Sequence, residues 1–213
     1  MMNLNRRQTL FLASGLAASV GAGVLLSPDE VSAQDLSSLM QPGPLGEHIV
    51  GDPDAPVTII EYASMTCPHC RTFHKTAYPA IKEKYIDTGI AKLYFREFPF
   101  DPRSAAAFML AECSGEEKYF SMIDVLFEKQ SVWARSEKVV DELFKIAKLA
   151  GFTQESFVAC LKNGELQANI LSIQKKAAED YGVDATPTFF INGTKYSGNM
   201  SAESMGEIIE ALV

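Results

Sequence analysis

The chain alternates short, continuous apolar runs with longer stretches in which apolar residues recur every three or four positions. Val57-Thr58-Ile59-Ile60-Glu61-Tyr62-Ala63 is a run of the first kind, rich in β-branched and aromatic side chains. It predicts a buried central strand. Residues 68–85 follow as a helix, which Pro79 should kink because a mid-helix proline loses a backbone hydrogen bond. Gly89 ends the helix, and residues 92–98 form the next strand. Strand, crossover helix and strand make a unit with parallel strands. Residues 101–163 read as helical throughout. One helix covers 104–113 and stops at Gly115, and a second covers 116–129. Ser136 caps a third, with Val139, Val140, Leu143, Phe144 and Ala147 as its buried face. Thr153 caps a fourth that reaches residue 161. Another helix spans 165–181 and ends at Gly182. Residues 189–191 and 194–197 form a hairpin about Asn192-Gly193, the signature of a type I′ turn. Ser201 caps the last helix, which turns Met205, Ile208, Ile209 and Leu212 to the core. Trp133 and the phenylalanines are assigned to the core.

The N-terminus follows a different pattern. Arg6 and Arg7 precede an uncharged apolar stretch over residues 10–26, and Val31-Ser32-Ala33 places small residues at a cleavage position. Residues 1–33 are therefore read as an export signal cut before Gln34, with a retained membrane anchor as the alternative. Asn5-Arg6-Arg7-Gln8-Thr9-Leu10 partly resembles a twin-arginine signal, from which Asn5 and Thr9 depart. Both that route and general secretion stay open. Residues 34–50, with Pro42, Gly43, Pro44 and Gly46, read as a flexible lead-in.

The chain has 213 residues, enough for one domain with a full core, and a net charge of −8. Arg6, Arg7, Asp29 and Glu30 cancel, so the chain after the signal carries the same −8. With no basic surplus, nucleic acid is excluded as a partner. Four cysteines, an even number, suit an oxidising compartment.

Two of those cysteines carry the candidate chemistry. Thr66-Cys67-Pro68-His69-Cys70 stands where the central strand gives way to a helix. This order puts Cys67 at the helix N-terminus, where free N–H groups and the dipole favour a thiolate. Cys70 lies one turn on, close enough to close a disulfide with Cys67. Pro68 suits the first helical position. His69 offers a second donor or positive charge near the Cys67 sulfur. The chemistry implied is thiol–disulfide exchange. Half a zinc site has the same spacing, but no second Cys-x-x-Cys follows. Glu61 is the odd residue of the strand, because a buried carboxylate is costly unless paired or functional. Its structural alternative is an ion pair with a lysine. His74 and His48 are assigned to surface or packing roles. Cys67 with Cys70 leaves Cys113 with Cys160, expected as a structural disulfide between two helices.

The run from Gly51 to Tyr62, ending in Cys67-Pro68-His69-Cys70, resembles the DsbA family of thioredoxin-fold oxidoreductases. So does Ala185-Thr186-Pro187-Thr188-Phe189-Phe190-Ile191-Asn192-Gly193. The resemblance covers residues 47–213. It implies an α/β, thioredoxin-like fold with a central mixed sheet and an inserted all-helical subdomain at about 101–163. The whole DsbA-like domain would span 51–213. It further implies a cis Pro187 facing Cys67, a Thr186 backbone edge open to a substrate peptide, and Glu61 relaying a proton to or from Cys70. The activity implied is a periplasmic dithiol oxidase that needs no cofactor and acts on reduced, unfolded exported proteins. A quinone-linked membrane oxidase of the DsbB type is a candidate reoxidant. Disulfide isomerases of this superfamily usually add an N-terminal dimerisation domain. The roughly 23 residues between 34 and 57 are too few for one, so a monomeric oxidase is expected. Two alternatives stay open: an isomerase or reductant, and a metal carrier using Cys67, Cys70 and His69 or His74.

Overall fold

The computed structural model describes residues 35–213; the export-signal expectation for residues 1–33 lies outside the described residues. A five-stranded mixed sheet runs in the order β1-β3-β2-β4-β5. Its strands are β1 (His48–Val50), β2 (Val57–Ala63), β3 (Ala91–Glu97), β4 (Thr188–Ile191) and β5 (Thr194–Ser197). Only β2 and β3 pair in parallel, joined by a helical crossover; the other pairs are antiparallel. All seven residues of β2 are buried, as its continuous apolar run requires of a strand covered on both faces. The β4–β5 hairpin turns at Asn192 (φ 45°) and Gly193 (φ 88°), the two left-handed residues of a type I′ turn.

The crossover comes in three pieces: α2 (Pro68–Thr76), α3 (Tyr78–Ile81) and a wide π turn over Lys82–Ile86. The break falls at Ala77, two residues before Pro79, as a proline that cannot donate to the preceding turn dictates. The two faces of the sheet bury different partners. Val57, Ile59 and Phe189 pack against Phe73, Ile81, Met205 and Ile209, the last two from α10 (Ala202–Glu210). Ile60, Tyr62 and Phe190 pack against Leu39, Ala177 and Tyr181. Ala177 and Tyr181 belong to the long helix α9 (Gly164–Tyr181), and Leu39 to the short α1 (Leu36–Leu39).

Residues 34–50 are thus no plain linker. Leu39 is fully buried, β1 pairs along β3, and Glu47 takes a bidentate ion pair from Arg96 (2.8 and 3.2 Å). Short edge strands of this kind, anchored by tertiary bonds, leave little trace in hydropathy.

The insert is α4 (Pro102–Cys113), α5 (Glu116–Glu128), α6 (Gln130–Trp133), α7 (Val139–Leu149) and α8 (Gln154–Leu161). Phe108, Phe127, Trp133, Leu143 and Phe157 fill its core. Cys113 and Cys160 are joined, tying α4 to α8 with a Cα–Cα distance of 6.1 Å. Thr153 forms a reciprocal capping box with Ser156. Ser136 is not the cap of α7. That position belongs to Lys138, and the Ser136 hydroxyl instead accepts the Lys138 N–H in the turn before it. Two residues assigned to buried faces are exposed: Val140, at the first turn of α7, and Leu212, past the end of α10.

Candidate redox site

The end of β2 delivers residues 64–67 directly to the N-terminus of α2. Cys67 is the N-cap residue, in extended conformation (φ −77°, ψ 120°), and Pro68 occupies the first turn. No side chain caps the helix, so the free N–H groups of that turn are left for the Cys67 sulfur. Both thiols are free; Cys67 is half-buried and Cys70 fully buried. A hydrogen bond from Cys70 holds the Cys67 pKa down at about 5 against the cost of burial, with the His69 and Cys70 backbone N–H groups contributing. Cys70 is pushed well above the usual thiol value. Burial is the main cause, followed by its bond to Cys67 and the charge of Glu61. At neutral pH one sulfur is a half-buried thiolate and its neighbour a buried thiol.

The Thr186–Pro187 peptide is cis. Cys67 Sγ lies 3.2 Å from the Thr186 carbonyl oxygen. Thr186 precedes the β4 ladder, which starts with the Tyr62–Thr188 pair. The loop and the motif thus meet across the site, as do Glu61 and Cys70. His69 differs from expectation. Its side chain is exposed, and what it contributes to Cys67 is its backbone N–H. Glu61 is fully buried, but its partner is no lysine. His74 Nε2 reaches both carboxylate oxygens at 3.1 Å. His74 sits one helical turn beyond Cys70 with its side chain 5% exposed, so it belongs to the site and not to the surface. The spacing of four between Cys70 and His74 was the signal for it.

The family described as thioredoxin matches residues 45–211. Crystalline alpha-DsbA1 of Wolbachia pipientis shares 34% identity, with a TM-score of 0.76 over 82% of this chain and 94% of that one. The chain belongs to the DsbA family. A Rickettsia conorii relative, named as a candidate protein-disulfide oxidoreductase, is 32% identical over 163 residues, or 76% of this chain. The DsbA-family chain spans 58% of that relative's length. Oxidised BdbD of Bacillus subtilis shares the fold at a TM-score of 0.70 and 24% identity.

Around the DsbA-type motif stands a set of polar residues that periodicity does not mark. Gln130 of α6 donates from Nε2 to the carbonyl oxygens of Met65 (2.8 Å) and Cys67 (2.9 Å). Ser104 Oγ accepts the Met65 N–H (2.9 Å) and bonds Ser64 Oγ (3.0 Å). Asp101 caps α4 through one oxygen and accepts the Thr66 hydroxyl on the other. The helical insert therefore holds the redox loop through buried hydrogen bonds.

The ligand set of a thiol-based metal carrier is not assembled, since His69 faces solvent and Glu61 engages His74. Among the described residues, the histidine, cysteine and carboxylate groups close enough to share an ion are His48, Glu97 and Glu112. They are bonded to one another: His48 Nε2 to Glu112 at 2.7 Å, and Glu97 to Glu112 carboxyl to carboxyl.

Proposed function

We propose that this chain is an exported thiol:disulfide oxidoreductase working as a dithiol oxidase, with Cys67–Cys70 as its redox disulfide. One observation carries the direction: the Cys67 sulfur is favoured as a thiolate, with a pKa of about 5. A stabilised thiolate is a good leaving group and favours the reduced protein, which makes the disulfide form an oxidant. A substrate thiolate attacks the Cys67 sulfur, forming a substrate–Cys67 disulfide and breaking the Cys67–Cys70 bond. The electron pair passes to Cys70, which takes up a proton. A second substrate thiolate then attacks its own sulfur and releases Cys67 as the thiolate. The substrate leaves with a disulfide, and the protein holds the two electrons. Thr186 gives the substrate backbone an edge to lie along.

The substrates proposed are reduced exported proteins, met in the periplasm by a monomer. Support comes from the apolar N-terminal segment and from the Cys113–Cys160 bond, which an oxidising compartment preserves. A DsbB-type, quinone-linked oxidase is the proposed reoxidant.

The test is the Cys67–Cys70 reduction potential against glutathione. It should lie well above thioredoxin's roughly −270 mV. A value near that level would turn the assignment to a reductant or isomerase. Its pH dependence gives a sharper reading. Below pH 5 reduction takes up two protons and the potential falls by about 60 mV per unit. Above it Cys67 stays ionised, one proton is taken up, and the slope halves to about 30 mV. The thiolate's advantage is thus present above pH 5 and lost as pH falls through that value.

A further inference from the structure

Glu61 and Cys70 are both shut off from solvent, so a proton exchanged between them needs a way out. The carboxylate's bonded side-chain partner is His74, through Nε2. The other ring nitrogen, Nδ1, is buried and has no hydrogen-bond partner among the described residues. Phe127 stacks on the ring at 4.4 Å, with Phe95 and Phe73 edge-on at 5.6 and 5.5 Å. His74 also lines a cleft of about 310 Å³ between the crossover helices and α5. An aromatic cage fixes the ring, one nitrogen serves the acid beneath the thiols, and the side chain borders an open cleft.

We propose that His74 is the positioning residue that carries the Cys70 proton between Glu61 and that cleft. The proposal rests on the dithiol-oxidase reading and extends its proton path. In the oxidising direction, Cys70 leaves as a thiolate and takes a proton from the Glu61–His74 pair, which is refilled from the cleft. In reoxidation by glutathione disulfide, the Cys67 thiolate attacks first and expels one glutathione thiolate. Cys70 then gives its proton to Glu61 and on to His74. Its thiolate attacks the Cys67 sulfur, the Cys67–glutathione bond breaks, and the second glutathione thiolate leaves.

The charged and titratable groups around the ring and its cleft are Glu61 from β2, Asp124 and Glu128 from α5, and Lys75, Lys82 and the neutral Tyr78 from the crossover. Burial raises the Asp124 carboxyl and the His74 charge opposes this, so the two groups sense each other across the cleft.

The probe is glutathione disulfide reacting with the reduced full chain from pH 4 to 9. The second step, closure of Cys67–Cys70, is followed separately from the first. His74→Gln keeps a hydrogen-bond donor for Glu61 but cannot titrate. It should slow closure at least about tenfold near pH 7 and abolish its pH-dependent limb. Its first step and equilibrium potential should match wild type. In His74→Gly, added imidazole should restore the rate. A His74→Gln closure profile that overlays wild type overturns the proposal. Should neither variant fold, the wild-type ring decides by nuclear magnetic resonance. Its titration midpoint must move between disulfide and dithiol states, and an unchanged midpoint overturns the proposal. A wild-type protein that oxidises no dithiol would sink the function above, while the ring titration still judges His74.

Discussion

His48 and Glu61 stand in one row across the sheet, each the register partner of Phe95. Each belongs to a histidine–carboxylate pair on the same face, buried at Glu61 and part-buried at His48. Among the described residues, the Glu61 carboxylate has its hydrogen bonds from His74 alone, and the far nitrogen of that ring is unbonded. At the other end the groups close on themselves. Glu97 and Glu112 share a hydrogen bond, and Tyr119 donates to Glu97 Oε1 (3.1 Å). His48 bonds Glu112 while stacking on Tyr119 at 3.4 Å. Burial pushes the Glu97 carboxyl up to about 8, so it stays protonated at neutral pH. The contrast shows that a buried acid does not by itself mark a working site. What separates the two is whether a reacting group, Cys70 at the Glu61 end, stands beside the pair.

If the closed network is purely architectural, damage to it should cost stability and spare the chemistry. The largest loss should come from Cys113→Ala with Cys160→Ala, next to Glu112. Reopening a loop with a sequence separation of 47 should remove about 4 kcal/mol, read by guanidinium denaturation, with the Cys67–Cys70 potential unchanged. Glu97→Gln comes second. The folded value of about 8 exceeds the ordinary 4.5, so the folded state holds a proton that the unfolded chain has lost. Wild-type stability should therefore be unaffected below about pH 4.5, decline toward pH 8, and then level off. The variant should show no such decline in urea melts across that range. His48→Ala, which strips Glu112 of its charge-assisted bond, should cost about 2 kcal/mol and leave the dithiol oxidation rate intact. The exposed third histidine is the control. His69→Ala should move the potential by about 20 mV or less, because an exposed side chain is screened. A larger change would show that its ring, and not only its N–H, acts on Cys67.

Features that depend on neighbours in sequence were legible. The β2 run, the Cys67 position at the head of α2, the Pro79 break and the Asn192-Gly193 turn follow from residue types a few positions apart. So did the Cys113–Cys160 pairing, because four cysteines leave few combinations. Features made by tertiary contact were not. His48 and Glu112 are 64 residues apart, and β1 is three residues paired to a distant strand. Gln130 reads as one more polar helix position until the loop carbonyls it satisfies are in view. His74 is the intermediate case. Its spacing from Cys70 was visible, but that its ring turns onto Glu61 was decided by Phe127 and Phe95.

The two oxygens of Asp101 serve different masters: one ends the insert's first helix, the other holds Thr66 beside the redox cysteine. Opening either element breaks a bond of the other. Amide hydrogens in the first turn of α4 and in the loop over residues 64–67 should then exchange with deuterium together, as one cooperative unit. The helical insert is in that sense no lid swinging over a finished thioredoxin core, and a fragment lacking it would carry its cysteines on a frayed strand end.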